Sequence, residues 1–368
     1  MELKKWLRLT VMLPLIIFLV FTNIYQDPAN LYHDFSVEIA EALLEGKEAF
    51  FYSKNGDERG VKQHLIEHMP EYVDCITVGP SLTMEIRSDM VGTDNYYNLS
   101  ASGLNFNDYM AEFALLEANN VKVDRVVLCV DSYFFDEIYA NGSLKTEWMP
   151  YANYMIIKLG GGNPEVPPKN PGFFSAENLK KIWTRVSQAV SITYFQSSCK
   201  LIRDNRRFIQ PARWGIIDED TKDHAYYEPD GSTVFSLEYR SSTVDDVIKD
   251  ANSYDIEKQF GYGKHVDSYY FEYFDRLVKY LTENNIEVEF FLCPLCPTLW
   301  DRLGIGEDSC EYYLLDEIEE HAREIADKYR IKVTGSYNPY AVGASDSDYW
   351  DCRHMRMDSM NKYFDFKE

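Results

Sequence analysis

Basic residues are scarce in this chain of 368 residues, which has 37 lysines and arginines against 60 aspartates and glutamates. The formal net charge is -23, and the basic residues form no block beyond the first residues of the chain. A phosphate backbone would be repelled by such a surface. We therefore do not expect nucleic acid as a partner.

Charged side chains are absent from residues 9–26, LTVMLPLIIFLVFTNIYQ, whereas Lys4, Lys5 and Arg8 precede this run. The length of the run suits a single membrane span with its basic end in the cytoplasm. No small-x-small cleavage site follows, which disfavours the alternative of a cleaved signal peptide. We predict a cytoplasmic N-terminus at 1–8, a transmembrane anchor at 9–26, and a remainder held outside the cytoplasm at the cell membrane.

Cysteine is sparse, and its seven residues are an odd number for an exported chain. Cys75, Cys129 and Cys293 lie in apolar runs, where buried free thiols are the ordinary expectation. Cys293 and Cys296 have the spacing of a redox or zinc motif, but no second ligand pair accompanies them. We predict neither a metal nor a cofactor, and leave thiol redox chemistry open. A disulfide also stays open among Cys296, Cys310 and Cys352.

The rest of the chain alternates short apolar runs with helical patterns. The apolar runs predict strands at 73–78, 96–100, 124–131, 286–294 and 331–336. Strands that alternate with helices are typical of a parallel sheet covered on both faces. We predict an α/β fold, a three-layer α/β/α sandwich with a mainly parallel five-stranded sheet.

This alternation is interrupted after the third predicted strand. Residues 139–263 contain a triple glycine, a proline-rich loop and a long helical stretch at 175–207. Such a length is too great for a structureless loop, so we predict an inserted subdomain or lid. The insertion belongs to an extracytoplasmic domain over 72–368, and a juxtamembrane segment with a helix precedes that domain at 27–71.

A serine follows the first of these predicted strands, in the sequence ITVGPSLTMEIR at 76–87. Reacting groups collect at the carboxyl ends of parallel strands, where the N–H of Ser81 can also help to hold an oxyanion. Taken alone, a serine in this position is more simply explained as a helix cap. Thr83 stands where the α/β-hydrolase elbow requires glycine, which disfavours that fold.

A serine nucleophile needs a histidine base and an acid that orients the histidine. Six of the seven histidines lie on polar helical stretches or in predicted loops. His354 differs because Asp351 precedes it by three residues in one loop. That spacing lets the carboxylate fix the imidazole tautomer, so that the other ring nitrogen can accept a hydroxyl proton.

The order of these motifs resembles that of the SGNH or GDSL-like hydrolase superfamily. Gly79-Pro80-Ser81-Leu82 resembles its first block with proline in second place, and YNLSASGLNFNDY resembles its second block, with Gly103 as the glycine. Asp351-Cys-Arg-His354 resembles its last block. The regions of resemblance are roughly 72–135 and 267–366.

The resemblance implies a role for each matching residue. Ser81 is expected as the nucleophile, His354 as the base and Asp351 as the acid that orients it. Backbone N–H groups of Ser81 and Gly103 are expected in the oxyanion hole.

One block departs from the family pattern. The third block usually supplies an asparagine as an oxyanion donor, whereas VVLCVDSYFFDE offers Asp131 and Ser132. Asn105 or Ser132 are the candidates to replace this oxyanion donor. Otherwise the oxyanion hole consists of backbone N–H groups alone.

The stretch YQDPANLYHDF at 25–35 resembles the segment that follows the anchor in one branch of this superfamily. That branch works beside membrane-bound O-acyltransferases and includes the D-alanyl transfer protein of teichoic acid modification and O-acetylation factors for exported polysaccharides. A proline turn leaving the bilayer is the competing explanation of the stretch.

The resemblance implies a serine O-acyltransferase or esterase acting on a cell-envelope polysaccharide or teichoic-acid-like polymer, with a membrane-bound O-acyltransferase as a partner. The alternative is a non-catalytic SGNH-shaped accessory protein that binds such a machine.

Overall fold

A computed structural model describes residues 2–51, 56–135, 145–168, 175–205, 214–256, 266–305 and 314–367. The strands within these ranges are β1 (Ala49–Phe51), β2 (Tyr72–Val78), β3 (Tyr96–Asn98), β4 (Lys122–Cys129), β5 (Trp214–Ile216), β6 (Tyr226–Tyr227), β7 (Thr233–Val234), β8 (Glu287–Leu292) and β9 (Lys332–Gly335). The α-helices are Glu2–Gln26, Ser36–Leu44, Glu58–His68, Ser88–Val91, Phe106–Ala118, Ser132–Phe135, Met149–Leu159, Ala176–Ala189, Ile192–Asn205, Leu237–Arg240, Val244–Ser253, Ser268–Glu283, Pro297–Leu303, Leu314–Tyr329, Pro339–Val342 and Met357–Tyr363.

Five strands form a parallel sheet in the order β3-β2-β4-β8-β9. Thr77 of β2 lies between Asn98 of β3 and Val127 of β4, which fixes the register of the sheet's first three strands. The same five strands correspond to the apolar runs, because parallel strands buried on both faces consist largely of hydrophobic residues. The predicted α/β fold with a parallel five-stranded sheet is confirmed.

A second, antiparallel sheet has the order β5-β1-β6-β7. Ala49 in β1 pairs with Ile216 on one side and with Tyr227 on the other. The predicted juxtamembrane segment at 27–71 therefore shares a sheet with the predicted insertion at 139–263. These strands are two or three residues long, too short to produce a recognisable alternation in the sequence.

The N-terminal helix Glu2–Gln26 covers the predicted anchor, and its described side chains begin at Met12. Among helices of the described residues, none combines the length and the apolar character that a membrane crossing needs.

The helical stretch predicted at 175–207 is two helices, Ala176–Ala189 and Ile192–Asn205, which we call the hairpin. The Asn23 amide of the N-terminal helix lies at the connection between them. Its Nδ2 donates to the backbone carbonyls of Gln188, Ala189 and Ser191 at 3.0–3.1 Å.

Candidate active site

Ser81 begins a single 3-10 turn, Ser81–Thr83, immediately beyond the carboxyl end of β2. Gly79 makes the close approach possible, because a Cβ there would lie 2.4 Å from Thr83 Oγ1 and 2.5 Å from the Cys129 Cβ. Thr83 Oγ1 donates to the Pro80 carbonyl at 3.0 Å and so holds the turn closed.

The structure brings the three predicted triad side chains together. Ser81 Oγ lies 2.7 Å from His354 Nε2, although 273 residues separate them in the chain. On the other side of the ring, His354 Nδ1 lies 2.9 Å from Asp351 Oδ2. These are the distances at which a histidine can accept the serine proton while a carboxylate holds the ring.

Asp351 is held in place as a carboxylate. Its Oδ1 accepts the backbone N–H groups of Arg353 at 2.7 Å and His354 at 2.8 Å. Burial alone would raise its pKa, but the His354 charge and the hydrogen bonds from His354, Tyr239 and the Arg353 backbone together keep the pKa below its usual value. An ionised Asp351 accepts a proton-bearing Nδ1, so Nε2 of His354 is the nitrogen that faces the serine hydroxyl.

Tyr239 is a fourth side chain in this group, and it comes from the insertion. Its hydroxyl donates to Asp351 Oδ2 at 2.5 Å and lies 3.0 Å from His354 Nδ1. Burial and the nearby Asp351 charge raise the pKa of Tyr239, so the phenol is a neutral donor. The insertion therefore contacts the candidate triad directly.

No protein-family model matches this chain, and comparison with curated proteins finds no match. Serine, histidine and aspartate triads occur on unrelated folds, where geometry rather than overall similarity identifies the role of each member. The roles proposed below accordingly rest on the side chains themselves.

Gly103, the second predicted source of an oxyanion donor, adopts a left-handed conformation with φ +59°. Arg59 supports this loop, because its guanidinium donates to the carbonyls of Ser102 at 3.1 Å and Gly103 at 3.0 Å. The same guanidinium pairs with the buried carboxylate of Asp108 at 2.7 Å. Within the described part of the chain, neither the Gly103 N–H nor the Ser81 N–H has a protein acceptor. Both amides are chemically suited to bind a developing oxyanion.

The two side chains considered as replacement oxyanion donors have different surroundings. Asn105 caps the helix Phe106–Ala118, and its Oδ1 accepts the N–H groups of Asn107 and Asp108. Ser132 follows β4 and is 1% exposed, and its hydroxyl has no hydrogen-bond partner among the described residues. Asp131 beside it forms an ion pair with the buried Arg353 at 3.2 Å.

Two further groups near the triad were not predicted from the sequence. Trp350 donates through Nε1 to Glu85 Oε2 at 2.7 Å, and Glu85 is 2% exposed. Burial raises the pKa of Glu85 to about 7, although Trp350, Arg87 and His354 act to lower it. A carboxyl with this pKa changes charge near neutral pH, within electrostatic range of the candidate base.

The Cys-x-x-Cys pair lacks the properties of a reactive thiol. Cys293 and Cys296 are buried and unbridged, and burial raises the pKa of each to about 12. Reactive cysteines need the opposite shift, towards the thiolate. Cys352 is also unbridged, and Cys310 lies outside the described residues.

Two other features do not belong to the triad. His64, Glu67 and His68 lie on one helix close enough together to share a metal ion. A cleft of about 860 Å³ beside β9 is lined by residues such as Glu319, Arg323 and Tyr363, and it shares no residue with the triad.

Proposed function

We propose that this protein is a serine O-acyltransferase or esterase with an SGNH-like three-layer core. Its substrate would be a cell-envelope polysaccharide or teichoic-acid-like polymer. The observation that carries the proposal is the hydrogen-bonded series Ser81, His354 and Asp351. Ser81 Oγ lies 2.7 Å from His354 Nε2, and His354 Nδ1 lies 2.9 Å from Asp351 Oδ2. A helix-capping serine would have no need of a histidine nitrogen at that distance.

The reaction follows from these positions. His354 Nε2 accepts the Ser81 proton while Oγ attacks the acyl carbonyl, and the resulting oxyanion is bound by the N–H groups of Ser81 and Gly103. As the C–O bond to the leaving alcohol breaks, His354 returns the proton to that alcohol. His354 then takes a proton from an acceptor hydroxyl or water, which attacks the acyl-serine carbonyl, and it returns that proton to Ser81 Oγ as the acyl–Oγ bond breaks. The balance between transfer and hydrolysis depends on how well water is excluded.

We also propose that the N-terminal helix, whose described side chains begin only at Met12, is a membrane anchor and that the site lies outside the cytoplasm. The support for the anchor is that Leu15, Ile16, Ile17 and Phe18 are all about half exposed. Consecutive positions point to different sides of a helix, so apolar side chains surround this segment. A membrane-bound O-acyltransferase, which could supply the acyl group, is the proposed partner.

Hydrolysis of p-nitrophenyl acetate by the full-length protein in detergent tests the chemistry. We expect wild type to release nitrophenol and to form an acyl adduct on Ser81 that mass spectrometry detects. Ser81→Ala should lose the adduct and at least about a thousandfold in rate. Ser197→Ala, at an exposed serine in the hairpin, is the matched control and should retain both. Equal rates in wild type and Ser81→Ala, with no serine adduct, would rule out the enzyme.

A non-catalytic accessory protein is the second candidate, and one contact favours it. After the third core strand, Asp131 is committed to an ion pair with Arg353 and offers no oxyanion donor of the kind the family pattern includes. Such a protein would bind an acetylated glycan or an acyltransferase without turnover. This candidate would be favoured if wild type and Ser81→Ala bind the glycan with equal affinity and neither turns it over.

A further inference from the structure

The first helix of the hairpin, Ala176–Ala189, exposes an apolar face. Trp183 is 72% exposed and Val186 is 56% exposed, which is unusual for large apolar side chains on a packed helix. The positions follow the spacing of one helix side. The residues of this apolar face and its continuation into the second helix are Leu179, Ile182, Trp183, Val186, Val190 and Ile192.

The hairpin is attached to the C-terminal half of the N-terminal helix. Besides the Asn23 contacts at the hairpin connection, Tyr194 donates to Asp27 at 2.7 Å. Phe18 packs edge-on against Phe195 with 6.1 Å between ring centroids. The apolar face therefore lies next to the end of the helix from which the folded domain begins.

One flank of the first hairpin helix, beside the apolar face, packs on the segment that follows the N-terminal helix. Arg185 Nε donates to the Leu31 carbonyl at 2.6 Å, and the Tyr32 hydroxyl donates to the Arg185 carbonyl at 2.6 Å. These contacts fix the rotation of the helix about its axis. The exposure of the apolar face is therefore a property of the fold and not of a freely rotating helix.

Charge distinguishes the hairpin from the rest of the chain. The hairpin, residues 176–205, carries five basic side chains and two acidic ones, Glu177 and Asp204, whereas acidic residues outnumber basic ones by 60 to 37 overall. The basic residues are Lys180, Lys181, Arg185, Lys200 and Arg203. A helix with an apolar face, an interfacial tryptophan and basic flanks is typical of binding to anionic lipid headgroups.

We infer that the hairpin lies at the boundary between the headgroups and the acyl chains of an anionic bilayer, beside the outer half of the N-terminal helix. This inference rests on the membrane anchor in the proposed function, but not on the catalytic triad. A protein partner would cover one stripe of the N-terminal helix, whereas apolar residues 15–18 are exposed on successive sides of it and continue towards the apolar face. Lipid contacts all of these surfaces at once. The hairpin then restricts how the catalytic domain tilts against the membrane.

A fluorescent probe on the apolar face tests the inference. Trp183 is replaced by cysteine in the full-length chain, in which Cys199→Ser and Cys310→Ser remove other thiols that could react. The new cysteine is labelled with a polarity-sensitive dye. The labelled protein is reconstituted into vesicles of phosphatidylglycerol and phosphatidylcholine. The matched control is Lys279→Cys, which places the dye on the exposed surface of the helix Ser268–Glu283. Nitroxide lipids labelled near the headgroup should quench the dye at 183 about twofold and leave the dye at 279 unchanged.

The outcomes separate the hairpin from the anchor and from catalysis. If the chain resists carbonate extraction but the dye at 183 is quenched no more than the dye at 279, the hairpin inference is wrong and the anchor stands. A blue-shifted dye without quenching would show that protein covers the face, which also overturns the inference. If carbonate extracts the chain and no quenching occurs, both anchor and hairpin proposals fail. Esterase activity measured in the same vesicles reports on the triad independently.

Discussion

Replacing Tyr239 by phenylalanine removes one hydroxyl from the candidate active site and little else. The ring packs against Phe235 with 5.0 Å between centroids and lies 6.5 Å from Trp350, and phenylalanine preserves both contacts. The lost groups are the hydrogen bond to Asp351 Oδ2 and the contact with His354 Nδ1. Tyr239→Phe therefore tests whether the insertion positions the catalytic pair.

The size of the effect follows from the partners that remain. Asp351 keeps the two backbone N–H donors and His354, so one donor in four is lost. A hydrogen bond to a charged group contributes about 1.5–3 kcal/mol. Only part of this is expected to reach the transition state, so we predict a loss in kcat/KM on the order of tenfold, which corresponds to about 1.4 kcal/mol.

The pH profile gives a second and more specific measurement. Tyr239 stabilises the charged form of Asp351, so its removal raises the pKa of that carboxyl and leaves more uncompensated negative charge beside the imidazole at neutral pH. The imidazolium is then favoured, and the acidic limb of kcat/KM should move to higher pH. A residue that only supported packing would change stability without moving this limb.

Esterase kinetics from acid to neutral pH check the prediction, with Tyr340→Phe as the matched control. Tyr340 also donates its hydroxyl to an aspartate, Asp301, but at an exposed position outside the triad. An unchanged rate and an unchanged acidic limb in Tyr239→Phe, with Ser81→Ala inactive, would refute a positioning role for Tyr239.

Three further variants test other parts of the site. Asp351→Asn should lower kcat by about 10⁴-fold in the esterase assay, because an amide does not hold the imidazole in the required tautomer. Arg59→Lys should lower kcat about tenfold with KM nearly unchanged in steady-state kinetics, since lysine cannot bridge the Ser102 and Gly103 carbonyls as a planar guanidinium does. For Glu85, whose pKa is raised from 4.5 to about 7, stability should fall as pH rises between these values. In urea unfolding, the free energy of unfolding of the wild type should be on the order of 2–3 kcal/mol lower at pH 8 than at pH 5. The Glu85→Gln variant should avoid most of this loss.

The main sheet could be predicted because each of its strands carries its own signal. Residues 126–130, for example, are continuously apolar. The corresponding strand β4 lies in the centre of the sheet with its carboxyl half buried. The antiparallel sheet carries no such signal. Ala49 pairs with partners more than 160 residues away in strands of two or three residues, so its position depends on tertiary packing alone.

The same distinction holds within the site. Asp351 and His354 are three residues apart, so their contact is local and the sequence contains it. Ser81 was suggested by its position after a strand, and the parallel sheet explains how a residue 273 positions away from His354 can lie beside it. Tyr239 had neither kind of signal. It lies in an irregular region, on a helix of four residues, and 112 residues separate it from Asp351.

Tyr239 also gives the insertion a physical connection to the proposed chemistry. Ser242, three residues later, donates to the Trp350 carbonyl at 2.5 Å, and Arg356 donates to the Ser242 carbonyl at 2.7 Å. The insertion thus holds the loop that carries Asp351 and His354 by both backbone and side-chain contacts. Any movement of residues 239–242 would change the position of the base relative to Ser81. In the proposed reaction, a ligand that displaces residues 239–242 is therefore expected to change proton transfer at His354.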